Sequence, residues 1–204
     1  MEDFDLIAKE FDTEKRVERA KAIADEIRLH INDGNKKIAV EYGCGTGLVG
    51  FHLINDFNSM LFADSSPAMI EQVKQKLIRL GKSADFAVCC DFMADIPHDL
   101  NADYIFMSLV LHHIKDTEAI LSCLYNMLNN AGHLIIVDLN PDGGGFHANH
   151  GDFDGHNGFE QSTLVNMSKK IGFRKAESKT FYYDSKIVND REAPYSLFIL
   201  DAEK

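Results

Sequence analysis

The stretch Val40-Glu41-Tyr42-Gly43-Cys44-Gly45-Thr46-Gly47 decides the fold. It completes a short, β-branched apolar run that begins at Lys37, so the pattern predicts a buried strand that ends in a glycine-rich turn. Glycines at such a place let the backbone turn sharply and approach a ligand closely, and a following helix offers free amide groups. The turn alone is only a moderate indication of a nucleotide-type site.

Predicted helices and strands alternate on both sides of this turn. Upstream, apolar residues at three- and four-residue spacing predict a helix from Val17 to Ile31. Downstream, the patterns predict helices over 48–57, 67–80, 116–128 and 161–171, and strands over 59–64, 85–89, 104–109, 133–138, 176–183 and 195–200. This alternation predicts right-handed crossovers and a doubly wound, three-layer α/β sandwich around a mainly parallel sheet.

Local signals set the limits of several of these elements. Ser65 and Ser66 offer capping hydroxyls before Pro67, and Gly81 is predicted to end that helix. Its inward face is predicted to consist of Met69 or Ile70, Val73, Leu77 and Leu80. A break over 129–132 is predicted before the strand at 133–138, and the glycine-rich segment 141–159 is predicted to be a long surface loop.

Composition limits the class of protein. The 204 residues suit one domain, and the net charge of -11 disfavours a large nucleic-acid footprint. The basic stretch 168–175 falls where a helix ends, so its cations are interpreted as offsetting the helix dipole. The four cysteines are too scattered for a disulfide framework. Without a long apolar run or a signal-like start, the chain is expected to be cytoplasmic and not membrane-bound.

Two acidic residues follow the next two strands. Asp64 closes the predicted strand at 59–64, and Asp91 lies just beyond the strand at 85–89. An acid after the second strand is the usual partner of ribose hydroxyls in nucleotide-binding α/β folds, and Asp91 could take an adenine amino group. The alternative for Asp64 is a structural role at the helix that begins after Ser66.

A dinucleotide-dependent dehydrogenase is the main competing class. Its fingerprint is G-x-G-x-x-G, but counting from Gly43 places Leu48 where that pattern needs glycine or alanine. The spacing therefore argues against a pyrophosphate cradle.

Five segments, in order, resemble the class I S-adenosylmethionine-dependent methyltransferases, particularly the small, substrate-diverse group described as methyltransferase domain type 11. They are 40–47, 63–69, 90–92, 104–114 and 128–138. The resemblance implies a Rossmann-like, seven-stranded sheet with an antiparallel last strand. It also implies one methyltransferase domain over 1–204, in which a helical N-terminal cover over 1–35 lies on a cofactor-binding core over 36–204.

The same resemblance implies S-adenosylmethionine as the cofactor. The implied cofactor-binding residues are Glu41, Gly43, Cys44, Gly45, Asp64, Ser65, Met69, Asp91, Phe92, Ser108 and Leu109. Glu41 and the glycine backbone would hold the methionine part, Asp64 the ribose hydroxyls and Asp91 the adenine amino group. Met69 and Phe92 would pack on the adenine ring, and Ser108 and Leu109 would line the channel toward the sulfonium.

Histidines are the candidates for a general base. A sulfonium is already an activated methyl donor, so a base is needed only for an acceptor that must lose a proton. His113, after the fourth strand, and His150, in the glycine-rich loop, are the predicted catalytic residues, unless no base is used. Packing at a strand-to-helix turn is the alternative for His112 and His113.

No metal is expected from the loop donors. His147, His150, Asp152, Asp154 and His156 match no standard zinc or calcium spacing. The predicted function is methyl transfer to a small-molecule acceptor. The alternatives are a non-catalytic S-adenosylmethionine-binding or sensing protein and a methyltransferase that acts on RNA or protein.

Overall fold

In the computed structural model, residues 4–91, 100–148, 153–189 and 191–204 are described. Seven strands form one sheet in the order β3-β2-β1-β4-β5-β7-β6. They are β1 Ile38–Tyr42, β2 Ser59–Asp64, β3 Ala87–Cys89, β4 Ala102–Ser108, β5 Leu128–Leu139, β6 Lys175–Val188 and β7 Arg191–Glu203. β7 runs antiparallel to both of its neighbours, whereas the pairs among the first five strands are parallel.

Six α-helices surround this sheet in the described residues. They are α1 Phe4–Ile7, α2 Glu14–Arg28, α3 Gly50–Leu53, α4 Pro67–Arg79, α5 Thr117–Met127 and α6 Gln161–Ile171. The apolar faces of α2, α3 and α4 pack on one side of the sheet, and those of α5 and α6 pack on the other. The predicted doubly wound sandwich with seven strands and an antiparallel last strand is confirmed.

Side chains that alternate between the two faces of the central strands explain why the protein has two hydrophobic cores, one on each side of the sheet. In β1, Ala39 belongs to one core and Val40 to the other, because successive side chains of a strand point to opposite faces. In β5, Ile135 and Ile136 divide in the same way, and both are fully buried. Strands with apolar residues on both faces must lie between two helical layers.

Several local predictions are confirmed closely. β2 and α6 have the predicted limits, and the Ser66 side chain caps α4 by accepting a hydrogen bond from the Met69 amide at 3.2 Å. Gly81 follows α4 in a left-handed conformation, with φ of 69°.

Other predicted limits are wrong. Only Gly50–Leu53 is α-helical within 48–57, because tight bonds such as His52 N to Val49 O interrupt the helical pattern there. Leu80 is 58% exposed, since it lies at the C-cap, past the last inward turn of α4. The expected break over 129–132 belongs to β5, which starts where Leu128 pairs with Ala102. β3 begins at Ala87, after a 3₁₀ turn over 84–86.

Candidate active site

A cavity of about 760 Å³ opens at the carboxyl ends of the parallel strands. The strand order reverses between β1 and β4, which is the place where open α/β sheets bind ligands. Residues after β1, β2 and β3 line one part of the cavity, and residues after β4 and β5 line the adjoining part. The topology thus brings together segments that lie far apart in the sequence.

Ten of the eleven predicted cofactor residues line this cavity. They are Glu41, Gly43, Cys44, Gly45, Asp64, Ser65, Met69, Asp91, Ser108 and Leu109. Phe92 lies outside the described residues, and so does His150. His113 lines the cavity as well. The structure therefore groups the predicted residues, while their individual roles stay predictions.

The glycine turn is fixed to the end of β2. The Cys44 amide donates to the Ala63 carbonyl at 3.0 Å, and the Gly45 amide donates to Asp64 Oδ2 at 2.7 Å. Gly43 and Gly45 adopt left-handed conformations, with φ of 67° and 53°. These contacts hold the turn against the cavity.

Asp64 has a structural role in addition to its position in the cavity wall. Its Oδ1 accepts a hydrogen bond from the Ser66 amide at 2.8 Å, while Oδ2 accepts from Gly45. Burial raises the pKa of this carboxyl, and the donated amide bonds oppose that shift. Asp64 thus joins the glycine turn to the start of α4, next to any ligand in the cavity.

Cys44 is buried beside these acidic residues. Burial raises the pKa of its thiol well above the ordinary value, and the nearby Glu41 and Asp64 add to the shift. A buried thiol that stays protonated is a small packing residue and not a nucleophile.

Glu41 lies under the turn and is 2% exposed. Both of its carboxyl oxygens are 3.2 Å from the Gly50 amide nitrogen, at the start of α3. Burial raises its pKa to about 8, and the charge of Asp64 contributes in the same direction. At pH 7 the carboxyl is therefore mostly protonated.

This buried acid predicts a pH dependence of stability. Its pKa is raised on folding from 4.5 to about 8, so the folded chain holds a proton that the unfolded chain has lost between these values. The stabilisation is full below pH 4.5 and is lost as the pH rises toward 8, by up to about 1.4 kcal/mol per pH unit. Glu41→Gln stays neutral and should flatten this slope in urea unfolding between pH 5 and 8.5. The exposed Glu118→Gln should keep the wild-type slope, and equal slopes for Glu41→Gln and wild type would contradict the prediction.

Histidines form the wall beyond β4. The buried His112 shares a hydrogen bond of 2.7 Å between its Nδ1 and Oδ1 of Asp138, a fully buried residue of β5. The ring of the half-buried His113 lies 4.1 Å from the His112 ring, between centroids. His147, from the loop after β5, lies 4.9 Å from His112 and stacks on Phe153 at 3.7 Å. His112 is thus packed and hydrogen-bonded, which is the alternative to a catalytic role that the sequence analysis gave for it.

Four cations also line the cavity, and the sequence patterns did not predict them as site residues. They are Lys15, Arg16, Arg19 and Lys186. Arg19 donates to the Tyr195 hydroxyl at 3.2 Å, and Lys186 lies 4.3 Å from the centre of the Phe146 ring. Lys15 is paired with Asp184 at 3.1 Å. The cavity wall thus carries four positive charges, although the chain as a whole has a net charge of -11.

The N-terminal segment covers the cavity. Phe4 and Phe11 line it, together with residues of α2. Asp12 accepts hydrogen bonds from the Thr46 hydroxyl and from the Lys76 ammonium group. The cover is thereby attached directly to the glycine turn.

The comparison with known protein families agrees with this geometry. A family model described as "Methyltransferase domain" matches residues 40–134, from β1 through the start of β5. Residues 40–134 are therefore similar to a methyltransferase domain. The predicted class and its cofactor, S-adenosylmethionine, are confirmed for this domain, while the narrower type 11 grouping stays a prediction.

Similar proteins extend the likeness over most of the chain. An uncharacterised methyltransferase of Schizosaccharomyces pombe is 26% identical over 171 residues, which cover 76% of this chain and 60% of the relative. The chain thus spans about 60% of the length of this curated relative.

Two solved structures share the fold. A complex between the Haloferax volcanii Trm112 methyltransferase activator and a methyltransferase matches with a TM-score of 0.73 and 15% identity, over 100% of this chain and 98% of that one. Phosphoethanolamine N-methyltransferase 2 of Haemonchus contortus, solved with phosphomonomethylethanolamine and S-adenosylhomocysteine, matches with a TM-score of 0.70 and 16% identity, over 90% and 52%. Among the described residues of the present chain, the helices are too short or too polar to cross a membrane.

Proposed function

We propose that the protein transfers a methyl group from S-adenosylmethionine to a small acceptor that carries a negative charge. One observation carries the proposal: ten of the eleven predicted cofactor residues, the histidines His112, His113 and His147, and the four cations line the same cavity. At about 760 Å³, its size is in the range of sites for small molecules. The proposed cellular compartment is the cytoplasm.

The donor set fits the cofactor. Carboxyl groups suit the ribose hydroxyls and amino groups of S-adenosylmethionine, and the cavity offers them in Glu41, Asp64 and Asp91. We assign the methionine part to Glu41 and the turn over 43–45, the ribose to Asp64 with Ser65, and the adenine to Met69, Asp91 and Phe92. Ser108 and Leu109 border the path toward the sulfonium. When bound, the cofactor supplies an electrophilic methyl group on a good leaving group.

The acceptor is proposed to lie between the histidines and the cations. Arg19 and Lys186 approach Phe146 from this part of the wall, which suits a phosphate or carboxylate. The related Haemonchus structure holds a phosphorylated amine. We also propose that the chain is a single domain with a helical cover. Because residues between Phe4 and Ile23 cover the cavity, a small acceptor fits better than RNA or protein.

The chain's own groups perform two tasks in this scheme. The cavity under the N-terminal cover aligns the acceptor atom and limits the access of water, which accounts for much of the rate enhancement of a methyl transfer. His113 is the candidate that takes a proton from the acceptor, and His150 is the second candidate. No base is required for an acceptor that reacts as its anion.

Calorimetry with S-adenosylmethionine and S-adenosylhomocysteine tests the proposal directly. We expect both to bind, and we expect small phosphorylated or carboxylated amines, alcohols and phenols to include an acceptor that releases S-adenosylhomocysteine. His113→Gln should lower kcat for an acceptor that must lose a proton, without changing the affinity for S-adenosylhomocysteine. His52→Gln, which alters an exposed histidine, is the matched control. Absence of binding of both cofactor forms would end the proposal, and binding without turnover of any acceptor would favour the sensing alternative.

A further inference from the structure

Three histidine side chains from two separate segments converge in the cavity wall. His112 and His113 follow β4, and His147 lies in the loop after β5. One ring nitrogen of each lies within 4.8 Å of the others. Sequence spacing could not predict this group, because 33 residues or more separate His147 from the other two.

The ring positions are close to those of a metal-binding triad. The three centroid separations are 4.1, 4.9 and 5.9 Å. A zinc–nitrogen bond of about 2.0–2.1 Å with tetrahedral angles places imidazole centroids roughly 5 Å apart. Small side-chain rotations would therefore bring the three nitrogens to one ion.

The surroundings orient two of the rings. Asp138 engages Nδ1 of His112 at 2.7 Å, which leaves Nε2 as the nitrogen for an ion. A carboxylate on the second nitrogen of a histidine ligand is the usual outer support of a metal site. Phe153 stacks on His147 with an angle of 5° between the rings and fixes the plane of that ring.

We propose that His112, His113 and His147 bind one divalent transition-metal ion, such as zinc. Imidazole ligands suit zinc and its neighbours, and three protein ligands with an open position are typical of catalytic sites. All three residues line the cavity, so the open position faces the acceptor. The sequence-based expectation of no metal considered the loop donors without His112 and His113.

The role of this ion rests on the proposed function and refines the part given there to His113. An acceptor hydroxyl, thiol or amine that binds the ion has a lower pKa, so its proton leaves to water without a free imidazole base. The resulting nucleophile forms the new bond to the methyl carbon, the sulfur–methyl bond breaks, and its electron pair stays on S-adenosylhomocysteine. The four nearby cations and the ion would together favour an anionic acceptor.

Titration of tag-free, chelator-treated protein with Co²⁺ alone tests the site. We expect one equivalent to bind, with visible absorption bands of a nitrogen-ligated ion. His113→Gln and His147→Gln should each weaken cobalt binding at least about tenfold, and Asp138→Asn, which removes the outer support, by about 10- to 100-fold. His52→Gln should bind cobalt as the wild type does. Thermal melting and S-adenosylhomocysteine affinity show whether each variant is folded.

The outcomes separate the two proposals. Wild-type protein that binds S-adenosylhomocysteine without taking up cobalt would overturn the metal site alone. Cobalt binding that survives in folded His147→Gln, or an intense near-ultraviolet thiolate band, would also overturn it, because the ion would then lie elsewhere. A third outcome is that the protein binds one equivalent of cobalt, loses it in His147→Gln, and binds neither cofactor form. This outcome would support the metal site and reject the proposed methyl transfer.

Discussion

Gly43→Ala is expected to destabilise the protein by about 3 kcal/mol and to abolish cofactor binding. Two effects add at this position. A left-handed conformation costs a residue with a side chain about 1–2 kcal/mol, and Gly43 has φ of 67°. A Cβ atom there would also lie 2.5 Å from Cγ2 of Val110, and relieving such overpacking costs about 1–3 kcal/mol. Val110 adjoins Leu109 in the cavity wall, so its displacement would distort the site.

Gly81→Ala is the matched control for this substitution. Gly81 has nearly the same φ, 69°, but no atom lies within 4 Å of the position that its Cβ would take. We expect Gly81→Ala to cost only the backbone strain, about 1 kcal/mol, and to leave the affinity for S-adenosylhomocysteine unchanged. Urea unfolding and calorimetry on both variants measure the difference.

A substitution of Val110 tests whether its contact with the new Cβ atom at position 43 causes the loss of stability. Val110→Ala removes the two methyl carbons that approach most closely and leaves Cβ at 3.1 Å. In the Gly43→Ala background it should therefore restore part of the lost stability, which a double-mutant cycle detects as non-additivity. If Gly43→Ala and Gly81→Ala cost the same, or if the two changes at 43 and 110 are simply additive, the collision is not the cause.

The layered architecture could be predicted because its signals are local. The β-branched strand before Gly43 and the capping Ser66 before Pro67 each specify an element within a few residues. The limits that were wrong depend on distant partners. Leu128 joins β5 because Ala102 lies beside it, and Leu80 is exposed because it lies at the C-cap, past the last inward turn of α4.

The cofactor-binding part of the site could be predicted from the sequence better than the part proposed for the acceptor. The cofactor half could be predicted in outline, because Glu41, Asp64 and Asp91 follow consecutive strands of a parallel sheet. The acceptor half depends on contacts over long separations: Arg19 meets Tyr195 across 176 positions. Single charged or aromatic residues in α2 and β7 carry no local pattern that marks them as site residues.

The sequence also could not predict that Asp138 binds and orients His112. Asp138 looked like the last residue of a strand, and only the pairing of β4 with β5 brings it to His112. A buried acid at the end of a strand is a useful signal, because a fully buried carboxylate needs a partner. That signal indicates that a partner exists without identifying it.

Asp64→Asn is the second substitution with a large expected effect. The Asp64 carboxylate accepts amide bonds from Gly45 at 2.7 Å and from Ser66 at 2.8 Å. An asparagine of the same shape can accept only one of them, because its amide group would face the other donor. A bond to a charged group contributes about 1.5–3 kcal/mol, so loosening the turn and losing the ribose contact should weaken S-adenosylhomocysteine binding on the order of 100-fold.

Asp103→Asn separates this effect from a general loss of stability. Asp103 lies near the start of β4, away from the cavity, and it also accepts a backbone bond, from Ile38 at 2.9 Å. Both variants should lose a similar amount of unfolding free energy, about 1–3 kcal/mol, because each leaves an amide poorly satisfied. Only Asp64→Asn should lose cofactor affinity in calorimetry. If Asp64→Asn binds S-adenosylhomocysteine within a factor of about three of wild type, Asp64 serves only to join the turn to α4, since a carboxylate that holds the ribose could not be replaced at so small a cost.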